Sequence, residues 1–222
     1  MDYETEEQQI EALKKWWSEN STMIIGGIAI GVSSIFGWQY YQSQTLLHTS
    51  SASVIYEQVL TNSQNTAGAS QQLTKVNMLQ AEYSDTPYAS LSALILARQQ
   101  FESGELAKAQ QQLQWVVDNA RQEELKYLAN IRLARLLLTT DQADKALDVL
   151  NQEFPESFKA IALELKGDAL LTQGNKAEAK AAYTQSQLLT TDVNRYLQLK
   201  IDDIGETKVN TPEATDKTEP SA

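Results

Sequence analysis

ELKGDALLTQGNKAEAKAAY, residues 164–183, holds two helix-forming runs joined by Gly174-Asn175. Two upstream stretches share its spacing, LILARQQFESGELAKAQQQL (94–113) and IRLARLLLTTDQADKALDVL (131–150). In register, Ala97, Ala134 and Gly167 are small where two helices of a pair must cross closely. Gly104, Asp141 and Gly174 fall at the turn, where a left-handed or capping residue is wanted. Ala109, Ala146 and Ala179 open the second helix face, followed four residues later by Leu113, Leu150 and Tyr183. The alanine spacings are 146 − 109 = 37 and 179 − 146 = 33, close to the helix–turn–helix unit of about 34 residues called the tetratricopeptide repeat. The match is degenerate. Ala93, Asn130 and Leu163 stand where an early aromatic is expected, and Arg121, Phe158 and Thr191 where a proline is expected.

The flanks extend the array. Asp85-Thr86-Pro87 suits the start of the first repeat, since proline is tolerated in a helix's first turn, and Pro155 suits the start of the third. Residues 71–83 and 46–60 read as further helices, with a polar loop over 61–70. A last helix, 190–204, is expected to cover the open end of the stack, as repeat arrays require. After Gly205 the sequence ETKVNTPEATDKTEPSA is too polar to order itself, and residues 205–222 are expected to be a disordered tail.

Upstream, MIIGGIAIGVSSIFGWQYY (23–41) has 19 residues and no charge, and about 20 apolar residues suffice to span a bilayer as a helix. It exceeds the roughly 7–15-residue core of a cleaved signal peptide, and a Glu-rich segment precedes it. Trp16 and Trp17 on one side, and Trp38, Tyr40 and Tyr41 on the other, suit the two interfaces. Lys14 and Lys15 are the basic residues nearest to it, and the next is Lys75. The positive-inside rule then predicts a cytoplasmic stub (1–20), a transmembrane helix (21–42) and a domain on the far side of the membrane (43–204). In the stub, Thr5-Glu6-Glu7-Gln8 has the form of a capping box. In the anchor, Gly27, Gly31, Ser33 and Gly37 are candidate helix-packing positions. The fold class is all-α, one transmembrane helix followed by a tetratricopeptide-repeat-like solenoid.

Composition narrows function. With 29 acidic and 18 basic residues, the net charge of −11 argues against nucleic acid. There is no cysteine and one histidine, His48, so disulfides, thiolate metal sites and most metal or general-base chemistry are removed. Neither a phosphate-binding glycine loop nor a metal spacing is present, and no enzyme activity, cofactor or metal is expected. The candidate binding surface is the face of the first helices, on which fall Leu94, Arg98 and Phe101, then Ile131, Arg135 and Leu138, then Glu164, Asp168 and Leu171. Arg98 and Arg135 hold equivalent positions and suit a peptide carboxylate or acidic side chain.

The acidic stub, the Lys-Lys-Trp-Trp flank, the Gly-rich anchor ending in Gly-Trp-Gln-Tyr-Tyr and the degenerate repeats together resemble the YfgM family of ancillary subunits of the bacterial SecYEG translocon. Gln9–Glu19 and Gly37–Tyr41 carry the resemblance most specifically; the tail departs from it. The resemblance implies a single-pass inner-membrane protein with its repeats in the periplasm. It also implies partnership with the translocon and with the membrane-anchored chaperone PpiD. Exported proteins would be handed to periplasmic chaperones, and a cytoplasmic stress-response regulator would be restrained through residues 1–20. The alternative from the anchor alone is a self-assembling scaffold joined through its glycine face.

Overall fold

The computed structural model describes residues 6–63, 69–190 and 194–205. The chain divides into two compact units, Met1–Val54 and Ile55–Ala222. The described residues contain α-helix and no strand.

The first helix, α1 (Glu6–Ser63), runs without interruption through the expected stub, anchor and following helix. Its polar residues explain why no boundary forms. Asn20 Nδ2 donates to the Trp16 carbonyl (2.8 Å), Ser34 Oγ to Ile30 (2.8 Å), Thr45 Oγ1 to Tyr41 (3.0 Å) and Ser51 Oγ to Leu47 (2.9 Å). Each polar group is satisfied on its own helix one turn back, so it neither competes with the backbone ladder nor stands bare in an apolar surrounding. α1 is long and apolar enough to cross a membrane. The expected loop 61–70 is shortened, since α1 reaches Ser63 and α2 (Ala69–Glu82) starts at Ala69. The rest of that loop, Thr5 and the tail beyond Gly205 lie outside the described residues.

In the second unit follow α3 (Pro87–Glu102), α4 (Leu106–Asn119), α5 (Glu123–Thr139), α6 (Ala143–Leu150), α7 (Glu156–Thr172), α8 (Lys176–Leu189) and α9 (Arg195–Gly205). Each packs on the next in sequence, and α3, α5 and α7 also touch in succession. That is the local, one-dimensional packing of a repeat array.

The three expected turns are the same motif. Gly104, Asp141 and Gly174 have φ of 78°, 55° and 83°. Around each, two backbone bonds close a Schellman cap. Gly104 N–H donates to Phe101 (3.0 Å) and Glu105 to Gln100 (2.7 Å); Asp141 donates to Leu138 (3.2 Å) and Gln142 to Leu137 (2.9 Å); Gly174 donates to Leu171 (2.9 Å) and Asn175 to Leu170 (2.9 Å). A left-handed residue lets the helix's last carbonyls find donors while the chain reverses, and aspartate tolerates that region better than most side chains.

All six expected small positions are buried: Ala97, Ala109, Ala134, Ala146 and Ala179 at 3% exposure or less, and Gly167 with them. In the third repeat the pair is re-proportioned, with glycine for alanine and Tyr183 for leucine. A Cβ on Gly167 would lie 2.5 Å from Tyr183 Cδ1, so the glycine makes room for the ring. Most of the aliphatic core runs from Ala93 to Ala169, and a second cluster joins Leu170, Ala179, Ala182, Tyr183 and Leu197.

Two helix starts differ from expectation. Pro87 occupies the first turn of α3, but the Thr86 hydroxyl donates backwards to the Tyr83 carbonyl (2.8 Å) and does not cap the helix. The last helix begins five residues later than expected, because Thr190 is extended and Asn194 Oδ1 accepts the Leu197 N–H (3.2 Å) as its cap.

Candidate functional site

Between α3 and α5 lies a pocket of about 380 Å³ lined by Leu94, Ala97, Arg98, Phe101, Leu113, Arg132, Arg135 and Leu136. Its floor is buried, with Leu94, Ala97, Leu113 and Leu136 all at 3–4% exposure. Phe101 stands at the rim, 44% exposed. The helices make this arrangement from a simple spacing. Arg98 and Phe101 are three residues apart on α3, and Arg132 and Arg135 three apart on α5, so each pair projects from one face.

The three guanidiniums share one opening. Arg98 Nε binds Glu102 Oε1 at 2.8 Å across one exposed helical turn. Partial desolvation pushes the Arg132 guanidinium below its ordinary value, and the nearby charges of Arg98 and Arg135 push it the same way. Among the described residues Arg132 and Arg135 have no ion pair. The pocket therefore combines an apolar floor with concentrated positive charge on a chain that is acidic overall.

A second cleft, about 460 Å³, continues from Arg135 and Leu138 to Glu164, Asp168, Tyr196 and Lys200. Its charges are answered internally. Lys200 Nζ donates to Asp168 Oδ1 (2.7 Å) and Oδ2 (3.0 Å) and to Glu164 Oε1 (2.9 Å). Tyr183 Oη donates to Asp168 Oδ1 at 2.6 Å, and Lys200 also lies 4.9 Å from the Tyr196 ring centre and 5.4 Å from that of Tyr183. Desolvation lowers the Lys200 ammonium, but its bonds to Asp168 and Glu164 outweigh this and leave it above its ordinary value. Burial, then the bond to Asp168, pushes the Tyr183 phenol upward.

The expected groove residues thus divide three ways. Leu94, Arg98, Phe101 and Arg135 meet in the first pocket. Leu138 and Asp168 border the second cleft, where Asp168 is held by Lys200 and Tyr183. Ile131 is 3% exposed and belongs to the core. Arg132 and Lys200 were not visible in the sequence pattern. Arg132 occupies the register position of Ile95 and Leu165, so the repeat alignment reads it as apolar. Lys200 is 32 residues from Asp168, beyond any local spacing rule.

In the anchor unit, a Cβ added at Gly27, Gly31 or Gly37 would meet nothing within 4 Å. At 100° per residue, Gly27/Gly31 and Ser33/Gly37 lie about 120° apart around the helix, on two faces and not one. Among the described residues no group of acids and histidine is arranged to hold a metal ion.

Comparison with known proteins places this architecture. The tetratricopeptide repeat-like domain family matches residues 14–206, from the anchor's basic flank to the end of α9. The ancillary SecYEG translocon subunit of Escherichia coli is 33% identical over 91% of this chain and 98% of its own length. The chain belongs to the ancillary SecYEG translocon subunit family. Members in Haemophilus influenzae and Aggregatibacter actinomycetemcomitans are 33% and 32% identical, each over 82% of this chain and 88% of their own lengths. No solved structure matches the chain. The family match includes both the apolar helix and the repeats.

Proposed function

We propose that this protein is a non-catalytic, membrane-anchored accessory subunit of the SecYEG translocon. Membership of a family named for that role carries the reading. The physical features support it: α1 is apolar enough to hold the chain in a bilayer, and the repeat array offers binding surface. Lys14 and Lys15 keep the N-terminus in the cytoplasm of a bacterial inner membrane, so residues 43–204 face the periplasm. There the array meets exported proteins and the chaperone PpiD and passes clients between them, while residues 1–20 remain available to a cytoplasmic regulator.

Blue-native electrophoresis from mild detergent tests the role. Comigration with the translocon subunits is expected; a homo-oligomer without them would overturn it in favour of a scaffold. Orientation is checked separately: a reporter active only in the periplasm should work when fused after Ile204, and a cytoplasmic-only reporter should not.

A further inference from the structure

We propose that the pocket between α3 and α5 is a docking site for an acidic segment of a protein partner, one that seats an apolar side chain beside one or two carboxylates. Three observations point to this occupant. The floor is aliphatic and buried, and Phe101 stands exposed at its rim, so a single apolar side chain can seat on it and leave water. Above it, Arg98, Arg132 and Arg135 line one opening, and planar guanidiniums bind carboxylates bidentately. Among the described residues, Arg132 and Arg135 have no acid within ion-pair distance.

The neighbouring repeats show that the fold does not require this arrangement. Arg98 and Arg135 are equivalent by register to Asp168, where the charge is reversed and the chain supplies its own counter-ion, Lys200, from α9. At the α3–α5 end no described helix supplies a counter-ion to Arg132 or Arg135. A partner carboxylate would do for Arg132 and Arg135 what Lys200 does for Asp168. Charge complementarity therefore selects an acidic peptide over a neutral or basic one. The inference deepens the translocon reading by assigning a recognition chemistry to the repeat domain.

The test uses the full-length chain in an uncharged detergent and fluorescence anisotropy of a labelled peptide with two glutamates flanking a leucine. The glutamate peptide is expected to bind at least tenfold tighter than its glutamine counterpart and to weaken as salt rises. Arg132→Glu/Arg135→Glu should lose the glutamate peptide and gain affinity for the lysine version, a reversal that mere loss of packing does not produce. Should the double variant melt early, Arg132→Gln keeps the test open, with an expected loss of about fivefold. Equal binding of the glutamate and glutamine peptides, or an unchanged affinity in the charge-reversed variant, would overturn the proposal. So would displacement of the peptide by short-chain phosphatidylglycerol, which would make the site a lipid one. A tenfold gain on ending the chain at Gly205 would make the acidic tail the occupant, with the same consequence. No translocon is present in the assay, so its failure leaves comigration untouched, and lost comigration leaves the peptide affinity untouched.

Discussion

The two ends of the face formed by α3, α5 and α7 solve the same problem in opposite ways. At the α7 end, Glu164 and Asp168 are like charges in a partly buried cleft, and α9 brings Lys200 to them, its ammonium also lying over the Tyr196 ring. At the α3 end, Arg98, Arg132 and Arg135 are like charges over an apolar floor, and among the described residues Arg98 alone of the three has an ion pair, with Glu102 on its own helix. The first cluster is closed within the chain and contributes to stability. The second keeps an unfavourable term, which a fold selected for stability alone would have removed by one substitution. The difference lies in how the charges are answered and not in register alone, since Arg98, Arg135 and Asp168 hold equivalent helix positions.

The closed end is expected to break first and hardest at Gly167. Any side chain there drives into the fully buried Tyr183 ring, so Gly167→Leu should cost about 3 kcal/mol. In a domain of this size that lowers the thermal midpoint by roughly 6–12 °C, measurable by circular dichroism. The register also predicts a rescue. Gly167→Ala/Tyr183→Leu rebuilds the Ala–Leu pairing of Ala97 with Leu113 and Ala134 with Leu150, so the double variant should lose at least about 1 kcal/mol less than the two single changes added. Strict additivity would mean that the three crossings are not equivalent.

Much of this end was legible beforehand, because its determinants are periodic. The left-handed turn residues and the small crossing positions repeat at nearly constant spacing, and sterics leave few residue types that satisfy them. The continuity of α1 past the expected segment ends at residues 20 and 42 was not legible, because the i−4 bonds of Asn20, Ser34 and Thr45 appear only in the structure. The charge chemistry was half legible. Arg98 and Arg135 stood in register, but Arg132 breaks the register, and Lys200 reaches its acids only through the tertiary fold.

Lys200 gives the next largest effect. Lys200→Met keeps the stem and removes the charge from a group whose side chain is 17% exposed, leaving Glu164 and Asp168 together. A loss of about 2 kcal/mol is expected, below the 3–5 typical of deeper pairs. The pH dependence has a definite sign. Lys200 is raised above its ordinary 10.5 and Tyr183 above its ordinary 10.0 in the folded chain. The unfolded chain therefore releases these protons first as pH rises, and the stability they contribute is intact below about pH 10 and lost above it. Thermal midpoints of the parent should be level in this respect from pH 7 to 9 and fall above 10. In Lys200→Met that alkaline fall should be shallower. An identical fall in both would place the titration elsewhere.

The open end should respond least, and in the opposite direction. If Arg132 is repelled by Arg98 and Arg135 without an ion pair of its own, removing it relieves the fold. Arg132→Ser should leave the unliganded protein as stable as the parent or more stable, by at most about 1 kcal/mol, since exposed charge interactions are worth no more. Ionic strength distinguishes this from a packing effect. The Debye length is about 30 Å at 0.01 M and about 3 Å at 1 M, so the variant's advantage should be greatest in dilute buffer and vanish in molar salt. A contribution from the arginine stem lying on Phe101 or Leu136 would have the other sign and persist at every salt concentration, because aliphatic contact is not screened. Thermal midpoints of parent and variant across that salt range therefore read the two terms separately. A variant that is less stable throughout would mean that Arg132 is held by packing, and that the α3–α5 pocket, like the α7–α9 cleft, is closed within the chain.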